Sequence, residues 1–170
     1  MRDWTEDNGI FTLQMTEMID APIDRCFLLT CSIALVQEEL GMTPISGRTS
    51  GFVQPGDTVR WQGWQLGLHH HHASLISGYV RPTFMQDTML AGRFRTFQHD
   101  HHLAELPNGQ TELHDEVRFS LPLGLIGRLV ARYIMTPHIL RLMRSRFHRI
   151  RRIATTDAWK NYLAADGNSI

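Results

Sequence analysis

"FRTFQHDHHLAELPNGQTELHDEVRFSLP", residues 94–122, decides the fold. Two runs of alternating polarity flank a Pro-Asn-Gly-Gln step, and Asn-Gly between such runs is a hairpin signal. Two registers fit. A two-residue turn at Asn108-Gly109 pairs Ala104 with Leu113 and His102 with Asp115. A three-residue loop, Asn108 to Gln110, pairs Phe97 with Leu121, His99 with Phe119, His101 with Val117 and Leu103 with Asp115. The second is preferred because it puts Phe97 and Leu103 on the face that carries Leu113, Val117, Phe119 and Leu121. A one-residue slip sends those apolar groups to opposite sides. In the preferred register His99, His101 and Asp115 face the interior, while Asp100, His102, His114 and Glu116 face outward.

Upstream of the hairpin the chain continues in strands. "TFMQDTML", "HHHHASLISGYVRP" and "TVRWQGWQLG" each read as one, and Trp61 and Trp64, three apart, cannot both point inward on a regular strand. "HHHH" alternates when extended, with His69 and His71 on one side and His70 and His72 on the other with Ser74 and Ile76. It reads as a strand beginning and is not counted as a functional cluster. "MTPISGRTSGFVQPGD" is dense in turn formers with room for a short strand. Further back, "IFTLQMTEMID" is a strand, Pro22 opens a short helix, "IALVQEEL" is a second, and Gly41 closes it.

Downstream the period changes to that of a helix. "PLGLIGRLVARYIMTPHILRLMRSRFHRIRRIATTDAWKNYL" carries apolar residues at helical spacing, with a break at Pro137 that Thr136 can cap. The segment is either a short helix plus a long one or a single kinked helix. The order of elements is strand, two short helices, about six strands, long helix. Uninterrupted strands favour an antiparallel sheet. An amphipathic helix over its concave face leaves space for a cavity.

Composition fits one soluble domain, with 42% hydrophobic and 20% charged residues. That domain is expected over residues 9–163, with residues 1–8 and 164–170 as flexible termini. There is no apolar run long enough to span a membrane and no apolar leader at the start. Cys26 and Cys31 are read as reduced core thiols, which suits a cytoplasmic location. Formal charge is zero but unevenly spread. Residues 1–120 carry eight Arg against fifteen Asp and Glu, and residues 121–170 carry eight Arg and one Lys against two Asp. The basic run from Arg141 to Arg152 either matches the acidic body, faces solvent, or meets an anionic membrane or acidic protein. Nucleic acid is not expected, since no binding module accompanies it.

Several stretches together resemble the START-like, Bet v 1-like superfamily (SRPBCC), in particular bacterial relatives of polyketide cyclase and coenzyme-Q-binding proteins. "IDAPIDRCF" resembles the opening strand-to-helix junction. "SLISGYVRPTFMQDTMLAGRFRTFQHDHHLAEL" resembles a sheet segment, and "TELHDEVRFSLPLGLIGRLV" the last strand running into the C-terminal helix. The likeness covers roughly residues 9–155. It implies an α+β helix-grip fold, a strongly curved antiparallel sheet wrapped around a long C-terminal helix with two short helices after the first strand. It also implies a cavity for a lipophilic ligand, with aromatic, quinone-like, polyketide-like and lipid molecules as the candidate classes.

The residues expected to wall such a cavity are Trp61, Trp64, Tyr79, Phe84, Phe94, Phe97, Phe119 and Tyr133, with Arg95 as a candidate partner for Asp115 or an anionic head group. His99, His101 and Asp115 admit three readings. They form a satisfied polar pair fixing the hairpin, a patch that orients an apolar ligand, or a proton-transfer site of a cyclase, hydratase or isomerase. A metal is not expected, because two histidines separated by one residue are a weak ligand signal and no familiar motif completes them. No cofactor is expected.

Overall fold

The computed structural model describes residues 3–164. Eight strands form one antiparallel sheet in the order β1-β2-β8-β7-β6-β5-β4-β3. They are β1 (Trp4–Asp7), β2 (Ile10–Ile19), β3 (Met42–Gly47), β4 (Thr58–Gln65), β5 (Leu68–Val80), β6 (Phe84–Ala91), β7 (Thr96–Glu105) and β8 (Thr111–Ser120). Between β2 and β3 run α1 (Ile23–Cys31) and α2 (Ile33–Leu40). After β8 come α3 (Gly124–Val130), a π-helical turn (Ala131–Met135), α4 (Thr136–Ala154) and α5 (Trp159–Leu163). This is the expected α+β helix-grip architecture.

Period-two burial drives the sheet. On β8 Thr111, Leu113, Asp115, Val117 and Phe119 are all buried, and on β2 Phe11 and Leu13 are fully enclosed. On α4, Ile139, Met143, Arg146, Ile150 and Ile153 recur at three- and four-residue steps and lie buried against the sheet and α1. Ser32 closes α1 and accepts from the backbone N–H of Leu35 at the start of α2. Cys26 and Cys31 are free and buried, as read from the sequence.

The structure differs from the sequence reading in three places. The central hairpin adopts neither expected register. Phe97 pairs with Phe119, His99 with Val117, His101 with Asp115 and Leu103 with Leu113. The Leu106 N–H donates to the Gln110 carbonyl, so the loop is Pro107-Asn108-Gly109. That is a two-residue shift from the preferred register. Side-chain parity is therefore conserved, and the facing of every residue stands although each pair changes. Secondly, Trp4–Asp7, expected within a flexible terminus, pairs with β2, and the Trp4 ring stacks on Phe11 at 5.8 Å. Of the expected C-terminal tail only Ala164 is among the described residues.

Thirdly, the C-terminal helix is three segments. Pro137 has no N–H to give, and the chain absorbs the break in a π turn closed by Thr136 N–H to Ala131 C=O. Thr136 does not cap, and its buried hydroxyl has no partner. For the basic run, the first of the sequence alternatives holds for most of its arginines, which are matched from within. Arg144 pairs with Asp3 at 2.6 Å, Arg149 with Glu38 at 2.7 Å, Arg151 with Glu17 at 2.7 Å, and Arg146 is buried. The acidic body and basic helix thus answer each other across the fold.

Two glycines test the backbone reading. Gly41 caps α2 at φ +60° with open space where a Cβ would go; Gly47 sits at φ +78° with the Thr58 carbonyl oxygen 2.0 Å from that position. Gly41→Ala is expected to cost about 1 kcal/mol from backbone strain alone. Gly47→Ala must also displace the β4 backbone and is expected to cost about 2–5 kcal/mol. Urea denaturation of both variants checks the ordering.

Candidate functional site

A cavity of about 210 Å³ lies between the concave face of the sheet and the helices α2 and α4. Its walls follow from the periodicities above. Every second residue of β5 from His70 to Ile76 faces it, as do Val59 and Trp61 of β4, Met85 and Asp87 of β6, and Phe97, His99 and His101 of β7. From α4 come His138, Ile139, Leu142, Met143 and Arg146, and from α2 Ile33, Val36, Glu39 and Leu40. Most of this wall is apolar, but a band of ionisable groups crosses it.

Arg146 organises that band. Its Nη1 donates to Glu39 Oε2 at 2.8 Å, its Nη2 donates to the Thr30 carbonyl at 3.0 Å, and its Nε stands 3.9 Å from Asp115 Oδ2. Asp115 lies one layer behind the cavity, wholly enclosed. His101 Nδ1 donates to its Oδ1 at 2.7 Å and His99 Nε2 to its Oδ2 at 3.1 Å. Burial alone raises a carboxyl pKa, yet these two hydrogen bonds and the neighbouring imidazoles outweigh it and hold Asp115 below its ordinary range. Burial pushes His101 down to about 3, so it is a neutral donor at physiological pH. Burial likewise lowers His72 to about 4. Glu39 is pushed up by burial against the pull of Arg146, and Asp87 is pushed up by burial to about 6, with His99, Ser74 and Arg146 only partly countering.

Four polar atoms on the wall have no hydrogen-bond partner though buried: Arg146 Nε, Asp87 Oδ1, His70 Nε2 and His138 Nδ1. Such atoms are rare in folded proteins because each forgoes roughly 1–3 kcal/mol of hydration. The His99, His101 and Asp115 ligating atoms lie within 4.8 Å of one another, a spacing a single metal ion could use. Both Asp115 oxygens already accept imidazole N–H groups, however, and Arg146 adds a positive charge beside them. The trio is complete as a hydrogen-bonded cluster.

Of the residues expected at the site, Trp61, Phe94, Phe97, His99 and His101 line the cavity. Asp115 supports them from behind. The rest lie elsewhere. Trp64 is 68% exposed, on the opposite parity to Trp61. Phe84 sits on the outer face against His102. A bulge between Ile76 and Gly78 turns Tyr79 inward, but it packs edge-on against Phe27 of α1 at 5.2 Å and is not among the cavity-lining residues. Arg95 precedes β7 and is exposed, so Arg146, not Arg95, answers Asp115. Phe119 points inward but is sealed by Phe11 and Phe94. Tyr133 is 68% exposed on the π turn. Sequence reasoning missed Glu39, His70, His72, Asp87, His138 and Arg146. Arg146 was readable: it falls on the buried stripe of α4, where an arginine must have a partner. His70 and His72 were placed on the Ile76 face but given no role.

Two outcomes follow. Arg146→Met leaves Glu39 and Asp115 buried without their cation and is expected to cost about 3–5 kcal/mol, with part of the loss recovered by adding Glu39→Gln; chemical denaturation reads both. Lowered histidine pKa values mean that the unfolded chain binds more protons than the folded one below pH 6.5. Stability is therefore full above 6.5 and falls as pH drops toward 4 and then 3, through His72 and His101. Asp87 acts in the opposite sense between about 6 and 3.8, and Asp115 adds a further loss only at lower pH. Glu39, also raised by burial, acts with Asp87, and the lowered His70 and His138 act with His72 and His101; the four histidines are expected to outweigh the two carboxyls, so the melting temperature falls from pH 6.5 to 4.

The sequence matches no family model, and no curated protein matches it. Solved structures do. A Thermus thermophilus protein, TTHA0849, superposes with TM-score 0.65 at 12% identity over 85% of this chain and 99% of that one. A START superfamily protein from Mycobacterium smegmatis gives 0.64 at 11% identity, over 84% and 98%. Major latex-like protein 151 from Panax ginseng gives 0.65 at 11%, over 88% and 100%. At these identities the likeness concerns the fold alone: the chain shares the fold of these proteins, one of them a START superfamily protein, with a curved antiparallel sheet over a long C-terminal helix.

Proposed function

We propose that the protein binds a small, mainly apolar ligand in the cavity beneath α4, with one hydrogen-bonding edge of the ligand set against Arg146 and Asp87. The observation that carries this is the pairing of an apolar wall with buried, unpartnered polar atoms on it. A dry apolar cavity needs none of them, and a filled core would have removed them. The size sets the class. A cavity of roughly 150 Å³ accepts a single benzene ring, so about 210 Å³ suits a one- or two-ring aromatic, a quinone or a compact polyketide-like body. A long acyl chain would have to protrude. Arg146 Nε offers a donor and Asp87 Oδ1 an acceptor, which favours a ligand with a carbonyl and a hydroxyl on one edge. A cytoplasmic location for such a binder remains part of the proposal.

A second reading is proton transfer on that ligand, as in a cyclase, hydratase or isomerase. What favours it is Asp87, whose unpartnered oxygen faces the cavity and whose pKa of about 6 lets it exchange a proton near neutral pH. His99, His101 and Asp115 are less suited, since their protons are committed to one another. Action through the basic helix is a third reading, weakened by its internal ion pairs.

Purification without a metal column, followed by native and denaturing mass spectrometry, tests the first reading. An organic mass released on denaturation is the expected result. Fluorescence titration with 2-naphthol gives a second readout. Leu142→Trp, which fills the cavity from α4, is expected to weaken 2-naphthol binding by about tenfold or more with the melting temperature little changed. Equal binding by wild type and Leu142→Trp would sink the proposal. Deuterium uptake by the recovered ligand in D2O, lost in Asp87→Asn with binding kept, would promote the second reading.

A further inference from the structure

Outside the cavity the molecule exposes an unusual amount of apolar surface in two places. On the α3 and π-turn segment Leu123 is 78% exposed and Leu125 76%, and Ile126, Leu129, Tyr133 and Ile134 are also exposed. On the β4–β5 hairpin the exposed side chains are Trp64, Leu66 and Leu68. Contiguous exposed apolar surface on this scale marks an interaction site.

Backbone strain falls in the same two places. Among the described residues three non-glycines have positive φ: Asn8, Leu66 at +51° and Leu123 at +74°. Asparagine tolerates that conformation, and leucine does not. Both leucines are also pushed into solvent. Each is therefore unfavourable twice over, in backbone and in hydration, where asparagine or glycine would relieve both. Strain held at exposed sites is a signature of function.

The two tips belong to one rim. Leu66 of the hairpin and Met135 at the end of the π turn both line the cavity, as does His138 one step further along. Each of the two segments thus contributes a residue to the cavity wall. Along the chain the helical tip carries charge of one sign, and the acids that reach it come from β1 and the residue before it. No acid occurs between Glu116 and Asp157. Arg132 and Arg141 are exposed and make no ion pair among the described residues, while Arg128 is matched to Glu6 and Arg144 to Asp3.

We infer that the α3–π segment and the β4–β5 hairpin together dock on an anionic lipid bilayer, holding the cavity mouth against the membrane. Leucine and isoleucine enter the acyl boundary, Trp64 and Tyr133 take the interfacial level their amphipathic rings favour, and Arg132 and Arg141 meet lipid phosphates. A protein partner would bury an apolar face equally well. The bilayer is favoured by two exposed arginines, Arg132 and Arg141, that make no ion pair among the described residues, and by apolar exposed side chains on two segments that both contribute to the cavity lining. This differs from docking by the basic α4 run, whose arginines are largely matched internally.

Co-sedimentation of the full chain with phosphatidylcholine vesicles, with and without phosphatidylglycerol, is the test. The expected result is association with the anionic vesicles, falling about tenfold or more in Leu125→Asp/Ile126→Asp and in Trp64→Ser. Leu66→Asn and Leu123→Asn guard against misfolding. They are expected to raise the melting temperature by relieving strain while lowering vesicle association. Wild type that ignores anionic vesicles, or variants that bind as well as wild type, would overturn the inference. So would a dimer seen by light scattering and dissolved by Leu125→Asp/Ile126→Asp, since a second copy would then cover the face. Vesicle association does not require an occupied cavity, so its failure is separable from failure of the ligand proposal.

Discussion

The guanidinium of Arg146 is the one charge that the interior cannot lose. It is buried on α4, yet it meets Glu39 on α2, the Thr30 carbonyl at the end of α1 and, at longer range, Asp115 on β8. Three elements distant in sequence are thereby fixed around one cation. Apolar packing alone would let α4 slide along the sheet, because hydrophobic contact has no direction. Charge-assisted hydrogen bonds have direction and length. A buried ion pair is seldom a net gain over a well-packed apolar substitute. What it supplies here is a fixed height of α4 over the sheet and a polar floor in an otherwise apolar cavity.

That floor has an excess of acid. Glu39, Asp87 and Asp115 surround one arginine, and His101 is held neutral by burial. The chain divides the burden unequally. Asp115 keeps its charge because two imidazole N–H groups and the nearby arginine stabilise it. Glu39 is held against Arg146 but is raised toward the neutral form. Asp87 is raised to about 6. Burial thus pushes both Glu39 and Asp87 toward holding a proton, and of the two it is Asp87 that lines the cavity with one oxygen unpartnered. The enclosed carboxylate is structural, and the accessible one is the candidate for meeting a ligand.

The fold was legible in residues 94–122 because a period-two pattern survives an error in register. The observed pairing is two residues from the preferred one, and every side chain still faces the side assigned to it. The site was half legible for the same reason. Facing follows from parity, so Phe97, His99 and His101 could be read onto the inner face of the hairpin, and they line the cavity. Depth does not follow from parity, so Phe119 shares their face but is sealed by Phe11 and Phe94. A bulge breaks parity and turns Tyr79 inward onto Phe27, which no alternation shows. The pairing of Arg146 with Glu39 spans more than a hundred residues and two helices, and no local pattern encodes it. The position of Arg146 in an apolar stripe announces only that a partner exists.

The acid-free stretch from Val117 to Thr156 serves two ends that the sequence shows as one. On α4 its arginines turn back onto the acidic body, where Asp3, Glu17, Glu38 and Glu39 receive them. On α3 and the π turn the same stretch carries apolar residues outward instead, with few arginines between them. The division falls at Pro137. Before it the helix is short, interrupted and unpacked on its outer side; after it the helix is long and held by ion pairs. A missing N–H at Pro137 thus separates a segment that stabilises the fold from one whose outer side is unpacked, and Met135 and His138, on either side of the join, both line the cavity.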